Sequence, residues 1–310
     1  MAFKSILTIL TDPAAAASQI EGAIALARRE DAHLDVLCIG VDRTQTGYYY
    51  AGATAILTQE AYNQAKEEAS AAEAAVRARL DREDIRWAVD TAVAQIGALG
   101  GPVAMLARFS DLVVLGKPYG KAGGAAAEAI LEAALFEGHA PVLVLPEGFS
   151  GAEFGKRIVL AWNQSDEALM AARAALPLLK AAKEVDITII DPPAHGPERS
   201  DPGGMLSQYL ARHGVQAEVS VLAKTLPRTS EVIQRHTRDE NADLVVMGAY
   251  GHSRFREAIL GGATRNMLEM AEVPVFLAHC AAGARRPGSG PPPPLRHRRA
   301  AAVRPPDPRP

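Results

Sequence analysis

The glycines between residues 247 and 264 have the spacing in this chain that is most specific for chemistry. They follow an apolar, strand-like run, and their order is Gly248-x2-Gly251-x9-Gly261, with Gly262 and Thr264 directly after. Glycine lets a backbone adopt positive φ or come close to a ligand. Where such a loop opens a helix, backbone amides and a hydroxyl are free to bind phosphate oxygens. Ordinary turn geometry is the alternative explanation of the same glycines.

The elements that must position this loop occur twice along the chain. DLVVLG at 111–116 recurs as DLVVMG at 243–248, and each is followed by a matched strand that begins at Pro141 or Pro274. Runs beginning at Lys4 and Lys156 also match, which indicates a tandem duplication. Short apolar runs that alternate with helical patterns are typical of parallel sheets with helices on both faces. We therefore predict an α/β fold made of two tandem copies of a five-stranded, mostly parallel sheet with helices on both faces.

The duplication divides the chain into copies at 1–150 and 151–280 and a tail at 281–310. The tail is rich in Pro and Arg, with seven arginines against Asp307 from 285 onwards, whereas the whole chain has a net charge of −3. Such a segment cannot bury enough apolar surface to order itself, so we predict disorder. A basic arm for nucleic acid and an unselected extension are the two interpretations, and the composition favours the extension.

In the second copy we predict five strands and four helices. The strands fall near 157–162, 185–190, 217–222, 243–247 and 274–278, and the helices near 166–181, 203–213, 230–240 and 263–271. Ser165 precedes the first helix, where its hydroxyl can cap free amides. In the first copy, the long connection at 40–59 is either a surface loop or a lid.

The glycine spacing, with the Val-Pro-Val at 273–275 that follows it, resembles the nucleotide loop G-x2-G-x9-G-(S/T) of the universal stress protein (UspA) family. The resemblance covers both copies, as in a tandem member. It implies an adenine nucleotide hydrolase-like fold that binds ATP, ADP or AMP, with or without Mg²⁺, and acts as a stress-response regulator. It also implies pairing through the last strand of each copy, at 142–145 and 274–278, either within one chain or in a homodimer.

The resemblance places the nucleotide site in the second copy. It implies base and ribose contacts at Asn163 and Ile190, and ribose and phosphate contacts at Gly248, Gly251, Gly261, Gly262 and Thr264. His252 and Arg254 are candidates to neutralise phosphate, since arginine binds it well, and solvated loop residues are the alternative.

Two positions depart from the family pattern: Gly262 stands where the family has Ser or Thr, and Asn163 where it has Asp. Asparagine keeps hydrogen bonds but supplies no charge. In the first copy the aligned loop positions are Glu128, Ala129 and Leu131, which do not suit phosphate. We therefore expect at most one site per chain, with the first copy as a structural partner.

The remaining residues favour binding over catalysis. No nucleophile with an adjacent base and no carboxylate cluster stands beside the loop, so an enzyme, a weak ATPase at most, is the less favoured class. A nucleotide-independent interaction or dimerisation protein and a slow nucleotide hydrolase are the alternatives. We interpret Trp162 as core and expect no metal site, because four histidines without ligand spacing fit isolated surface residues: His195, His213, His236 and His279.

Cysteine usage and hydropathy limit the cellular context. Only Cys38 and Cys280 are present, so no disulfide framework is expected and a reducing cytoplasm fits. No apolar run reaches the roughly 18 residues that a membrane span requires.

Overall fold

The computed structural model describes residues 3–12, 17–43, 54–120, 123–149, 153–192, 201–249 and 262–280, with backbone alone at 54–57. Several predictions concern residues outside these ranges. They are the loop residues Gly251, His252, Arg254 and Gly261, His195, residues 44–53 of the connection at 40–59, and the tail at 281–310.

Residues 1–280 form one compact unit around a ten-stranded sheet. In spatial order the strands are β3 (Arg86–Gln95), β2 (His33–Asp42), β1 (Ser5–Leu10), β4 (Leu112–Gly116), β5 (Val142–Leu145), β10 (Val275–Ala278), β9 (Leu244–Gly248), β6 (Arg157–Ala161), β7 (Glu184–Ile190) and β8 (Ala217–Leu222). Neighbouring strands are parallel except β5 and β10, which pair antiparallel with Val144 opposite Val275. The predicted fold class is confirmed.

Helices cover both faces of the sheet. They are α1 (Ala17–Glu30), α2 (Thr54–Leu80), α3 (Gly100–Ala107), α4 (Ala125–Glu132), α5 (Asp166–Ala174), α6 (Leu176–Ala181), α7 (Gly204–Arg212), α8 (Thr229–Asp239) and α9 (Ala263–Met270), with a 3₁₀ turn at Ile96–Ala98 and a π-helical turn at Ala133–Glu137. Successive strand residues face opposite sides, so Ile158 and Leu160 join one apolar core and Val159 the other. In the described part of the chain, no helix combines the length and apolarity of a membrane span.

The prediction of a single helix at 166–181 is wrong, because the structure has two helices there, α5 and α6. Ala175 has φ −80° and ψ −1°, and Pro177 lies in the first turn of α6. Proline has no amide hydrogen, and its ring collides with the preceding turn of a continuous helix, so the helix restarts there. The predicted cap is confirmed: the Ala168 amide donates to Ser165 Oγ at 3.1 Å.

An aspartate before the fourth strand of each half fixes the start of the first strand. The Asp243 carboxylate accepts hydrogen bonds from the amides of Gly155 and Arg157 at 3.0 Å and of Lys156 at 3.1 Å. In the first half, Asp111 accepts from Lys4 and Ser5 at 2.7 and 3.1 Å. The repeated Asp of the DLVV motif therefore aligns the starts of the neighbouring strands. This alignment also sets where the carboxyl ends of these strands lie.

Candidate functional site

The sheet has two places where the strand order reverses. β1 lies between β2 and β4, and β6 lies between β7 and β9. In open parallel sheets, ligands bind at such points, in the crevice outside the carboxyl ends of the strands. Each half of the chain therefore has one crevice in which a ligand could sit.

In the crevice of the first half, Gln19 of α1 is hydrogen-bonded to the ends of β1 and β4, beside a cavity of about 300 Å³. This side chain is only 8% exposed. Its Nε2 donates to Thr8 Oγ1 and to the Ile9 carbonyl, both at 2.8 Å, and its Oε1 accepts from the Gly116 amide at 2.9 Å. The same groups of β1 and β4 are then unavailable to a ligand. The sequence analysis rejected this site because of Glu128, Ala129 and Leu131, and it missed Gln19. The signal available in the sequence was a polar side chain at the start of an otherwise alanine-rich helix.

The crevice of the second half, between β6 and β9, contains a cavity of about 120 Å³. α5 begins so close to the end of β9 that a Cβ atom on Gly248 would lie 2.6 Å from the Ala168 amide nitrogen. The walls come from the ends of three strands and the starts of three helices: Ala161, Trp162, Asn163, Ser165, Glu167, Ala168, Thr188, Ile190, Thr229, Ile233, Met247, Gly248 and Ala263.

The described structure brings together some of the residues predicted for the site. Asn163, Ile190 and Gly248 line the cavity. Gly262 precedes α9 as its N-cap, with φ −55° and ψ 156°. Thr264, by contrast, is buried in α9 with 3% exposure and is not among the lining residues; its neighbour Ala263 lines the cavity instead.

Asn163 has a structural role as well as its place in the wall. Its Oδ1 accepts a hydrogen bond from the Ser165 amide at 3.2 Å, which forms an Asx turn at the start of α5. The carboxamide oxygen is thus engaged within the chain. The NH₂ group is the part of Asn163 that suits a hydrogen-bond acceptor on a ligand.

Behind the cavity wall lies a buried polar cluster that the sequence analysis missed. His236 Nε2 and Thr188 Oγ1 each lie 2.6 Å from Asp186 Oδ2. The prediction of isolated surface histidines is therefore wrong for His236, which is 8% exposed, and for His279, which is partly buried and lies 2.9 Å from the Ala249 carbonyl oxygen. The signal was its spacing: His236 follows Ile233 by three residues and so lies on the buried face of α8. The prediction of a core Trp162 is confirmed, at 9% exposure.

The cysteines of the described structure are poor nucleophiles. Burial raises the pKa of Cys38 to about 11. The pKa of Cys280 is raised by burial first and then by the carboxylates of Asp166 and Glu167 at the start of α5. Both thiols are protonated near neutral pH, and only the thiolate is reactive. No group of three or more His, Cys, Asp or Glu side chains in the described ranges has the arrangement of a metal site.

The two doubly wound halves define an α/β protein with a cavity at the carboxyl ends of the strands in each half. Residues 155–279 match the family model described as the universal stress protein family. The second half of this chain is therefore similar to the domain of that family.

Comparison with known proteins shows similarity in fold over most of the chain and in sequence over a shorter stretch. A universal stress protein from Archaeoglobus fulgidus shares the fold over 89% of this chain and 97% of its own, with 15% identity and a TM-score of 0.66. Universal stress protein Slr1230 of Synechocystis is 34% identical over 73 residues, and this match spans 24% of each chain. A universal stress protein solved in complex with cAMP covers 40% of this chain and 96% of its own, with 18% identity and a TM-score of 0.34.

Proposed function

We propose that the second half of this chain binds an adenine nucleotide, such as ATP, ADP or AMP, in the crevice between β6 and β9. Nucleotide occupancy would then be the signal that the protein contributes to a stress response. The observation that carries this proposal is the difference between the two crevices. In the first, Gln19 occupies polar groups at the ends of β1 and β4, and in the second, Gly248 and Ala263 line the cavity at the end of β9 and the start of α9.

The residues around the open crevice suit the two ends of a nucleotide. Ile190 and Ile233 provide an apolar wall for a base, and Asn163 provides a hydrogen-bond donor near it. Ala263 opens α9, and helix starts favour phosphate through free amides and the helix dipole. The described walls enclose 120 Å³, whereas small-molecule sites enclose roughly 300–1,000 Å³. They therefore accommodate part of a nucleotide.

The remaining contacts of this proposal involve residues outside the described ranges and rest on the sequence alone. Gly251 and Gly261 would bring backbone amides to the phosphates, and His252 and Arg254 would neutralise their charge. A bound nucleotide would supply the phosphate oxygens that Mg²⁺ prefers, so the ion would enter with the ligand.

The test is thermal unfolding with and without magnesium-ATP in wild type and in Ala263→Glu. A carboxylate at the first residue of α9 repels phosphate but favours the helix dipole, so the ligand-free protein should keep its stability. At about 100 times its dissociation constant, ATP should stabilise the wild type by about 2.7 kcal/mol, which corresponds to a rise of roughly 5–10 °C in Tm. The rise should be lost in Ala263→Glu.

A matched control comes from the first half. Ala125 is likewise exposed, opens the helix after strand four and follows a glycine N-cap. Ala125→Glu should keep the full ATP-induced rise. An equal loss in both variants, or no rise in wild type freed of co-purified nucleotide, would contradict the proposal and favour a nucleotide-independent interaction protein.

The structure limits how a partner chain could bind in that alternative. β5 and β10 pair with each other within the chain and have β4 and β9 on their other sides, so neither offers a free edge. A homodimer would therefore use another surface of the molecule. The cytoplasmic location remains a prediction from cysteine usage.

A further inference from the structure

A first-half aromatic residue packs on the histidine that holds the end of β9. Phe136 contacts His279 edge to face, with ring centroids 4.7 Å apart. His279 Nδ1 lies 2.9 Å from the carbonyl oxygen of Ala249, which can only accept, so the proton is on Nδ1. The Ala249 amide in turn donates to the Ala278 carbonyl at 2.9 Å. Ala249, the residue directly after Gly248, is thus fixed on both sides beside a first-half ring.

A second group of first-half residues holds α9. The Arg265 guanidinium lies 4.7 Å from the ring centroid of Tyr119 and 3.9 Å from a Glu128 carboxylate oxygen. At the other end of the helix, Lys117 Nζ donates to the Ala271 carbonyl at 3.3 Å. A cation there also complements the negative end of the helix dipole.

Among the described residues, the contacts of this kind run from the first half to the second. His279 follows β10, whereas Pro146, which offers no hydrogen-bonding side chain, follows β5 at the matching place. Lys117 follows Gly116, whereas Ala249 follows Gly248. Lys117, Tyr119 and Glu128 belong to the first-half loop and helix that correspond to a phosphate site, yet their side chains point to the second half.

We propose that the first half, whose own strand ends are hydrogen-bonded to Gln19, positions the nucleotide site of the second half. The first half holds Ala249 and α9, which come before and after residues 250–261 in the sequence. Phe136 and Tyr119 are positioning residues in this account, because they act through His279 and Arg265 and touch no ligand. The ligand in this inference rests on the proposed function above, whereas the anchoring can be measured without a ligand.

The experiment compares Phe136→Leu and Tyr119→Leu with wild type in the full-length chain. Each substitution removes one ring and keeps an apolar side chain. Phe149→Leu is the matched control, because Phe149 is a partly buried first-half ring in an edge-to-face pair, 5.6 Å from Phe154, that touches neither Ala249 nor α9. Amide hydrogen exchange is measured without nucleotide, and the dissociation constant for magnesium-ATP is measured by calorimetry.

We expect faster exchange in α9 for Tyr119→Leu and at Ala249 for Phe136→Leu, with no change there in Phe149→Leu. ATP affinity should fall roughly two- to tenfold in both test variants, since aromatic contacts of this kind contribute on that scale. Unchanged exchange would overturn the inference, and so would raised exchange with wild-type affinity. Raised exchange in a protein that binds no ATP even as wild type would contradict the proposed function and still support the anchoring.

Discussion

At the residue scale, the glycines that end β4 and β9 are required for different reasons. A Cβ on Gly248 would collide with the backbone at the start of α5, 2.6 Å from both the Ala168 nitrogen and the Glu167 carbonyl carbon. At Gly116 the one close atom is Gln19 Oε1, at 3.1 Å. The second half thus brings a helix start directly against its crevice, and the first half brings the Gln19 side chain to the ends of β1 and β4.

Gly248→Ala should therefore destabilise the protein although alanine is small. The collision is with backbone, which cannot rotate away, and overpacking of this kind costs about 1–3 kcal/mol. Urea unfolding measures the difference. Gly101→Ala is the control, because no atom lies within 4 Å of its Cβ position in α3 and alanine favours a helix by about 1 kcal/mol. Equal stability of the two variants would contradict this reading of Gly248.

At the element scale, the sequence predicted the strands and helices of the second half to within a few residues. The reason is that apolar alternation and the internal repeat report local structure directly. The break before Pro177 was missed although proline is a local signal, since the apolar pattern continues across it. His236 was missed because its partner Asp186 lies 50 residues away in sequence.

The candidate site was predictable only in part for the same reason. The glycine spacing located the end of β9 and the start of α9, which are properties of a short segment. The place of Gln19 at the ends of β1 and β4 and that of Ala263 in the cavity wall depend on which helix face meets which strand end, and no local pattern specifies that.

A prediction at this scale concerns the ion pairs that join α2 to α1. Arg79 bonds Glu21 of α1 at 2.7 Å and also pairs with Glu83, which accepts from Arg28 as well. The hydrogen bond from Arg79 is the main cause of a lowered pKa at Glu83. A carboxylate with a lowered folded-state pKa adds stability above its unfolded pKa of about 4.3 and loses it as the pH falls through the folded value.

Glu83→Gln should therefore lower the free energy of unfolding by about 1 kcal/mol at pH 7. The difference in the free energy of unfolding between variant and wild type should shrink as the pH is lowered from about 4.5 towards 3. Urea unfolding across that range measures it. A gap that stays constant down to pH 3 would show that packing, and not the Glu83 charge, accounts for the difference.

At the scale of the whole molecule, the antiparallel pairing of β5 with β10 joins two doubly wound halves into one sheet. The sequence implied pairing through these strands but left open whether it occurs within a chain or between chains, because the same strand can pair with either copy. The described fold pairs them within the chain and leaves β3 and β8 as the sheet edges. One half then offers an open crevice, and the other contacts the residues around it.

The central claim is that each chain binds one nucleotide, in its second half. Isothermal titration calorimetry of magnesium-ATP into nucleotide-free protein measures the stoichiometry directly. We predict one site per chain in wild type and in Ala125→Glu, and none in Ala263→Glu. Two sites per chain would contradict the restriction of binding to the second half, and no site in the wild type would contradict nucleotide binding itself.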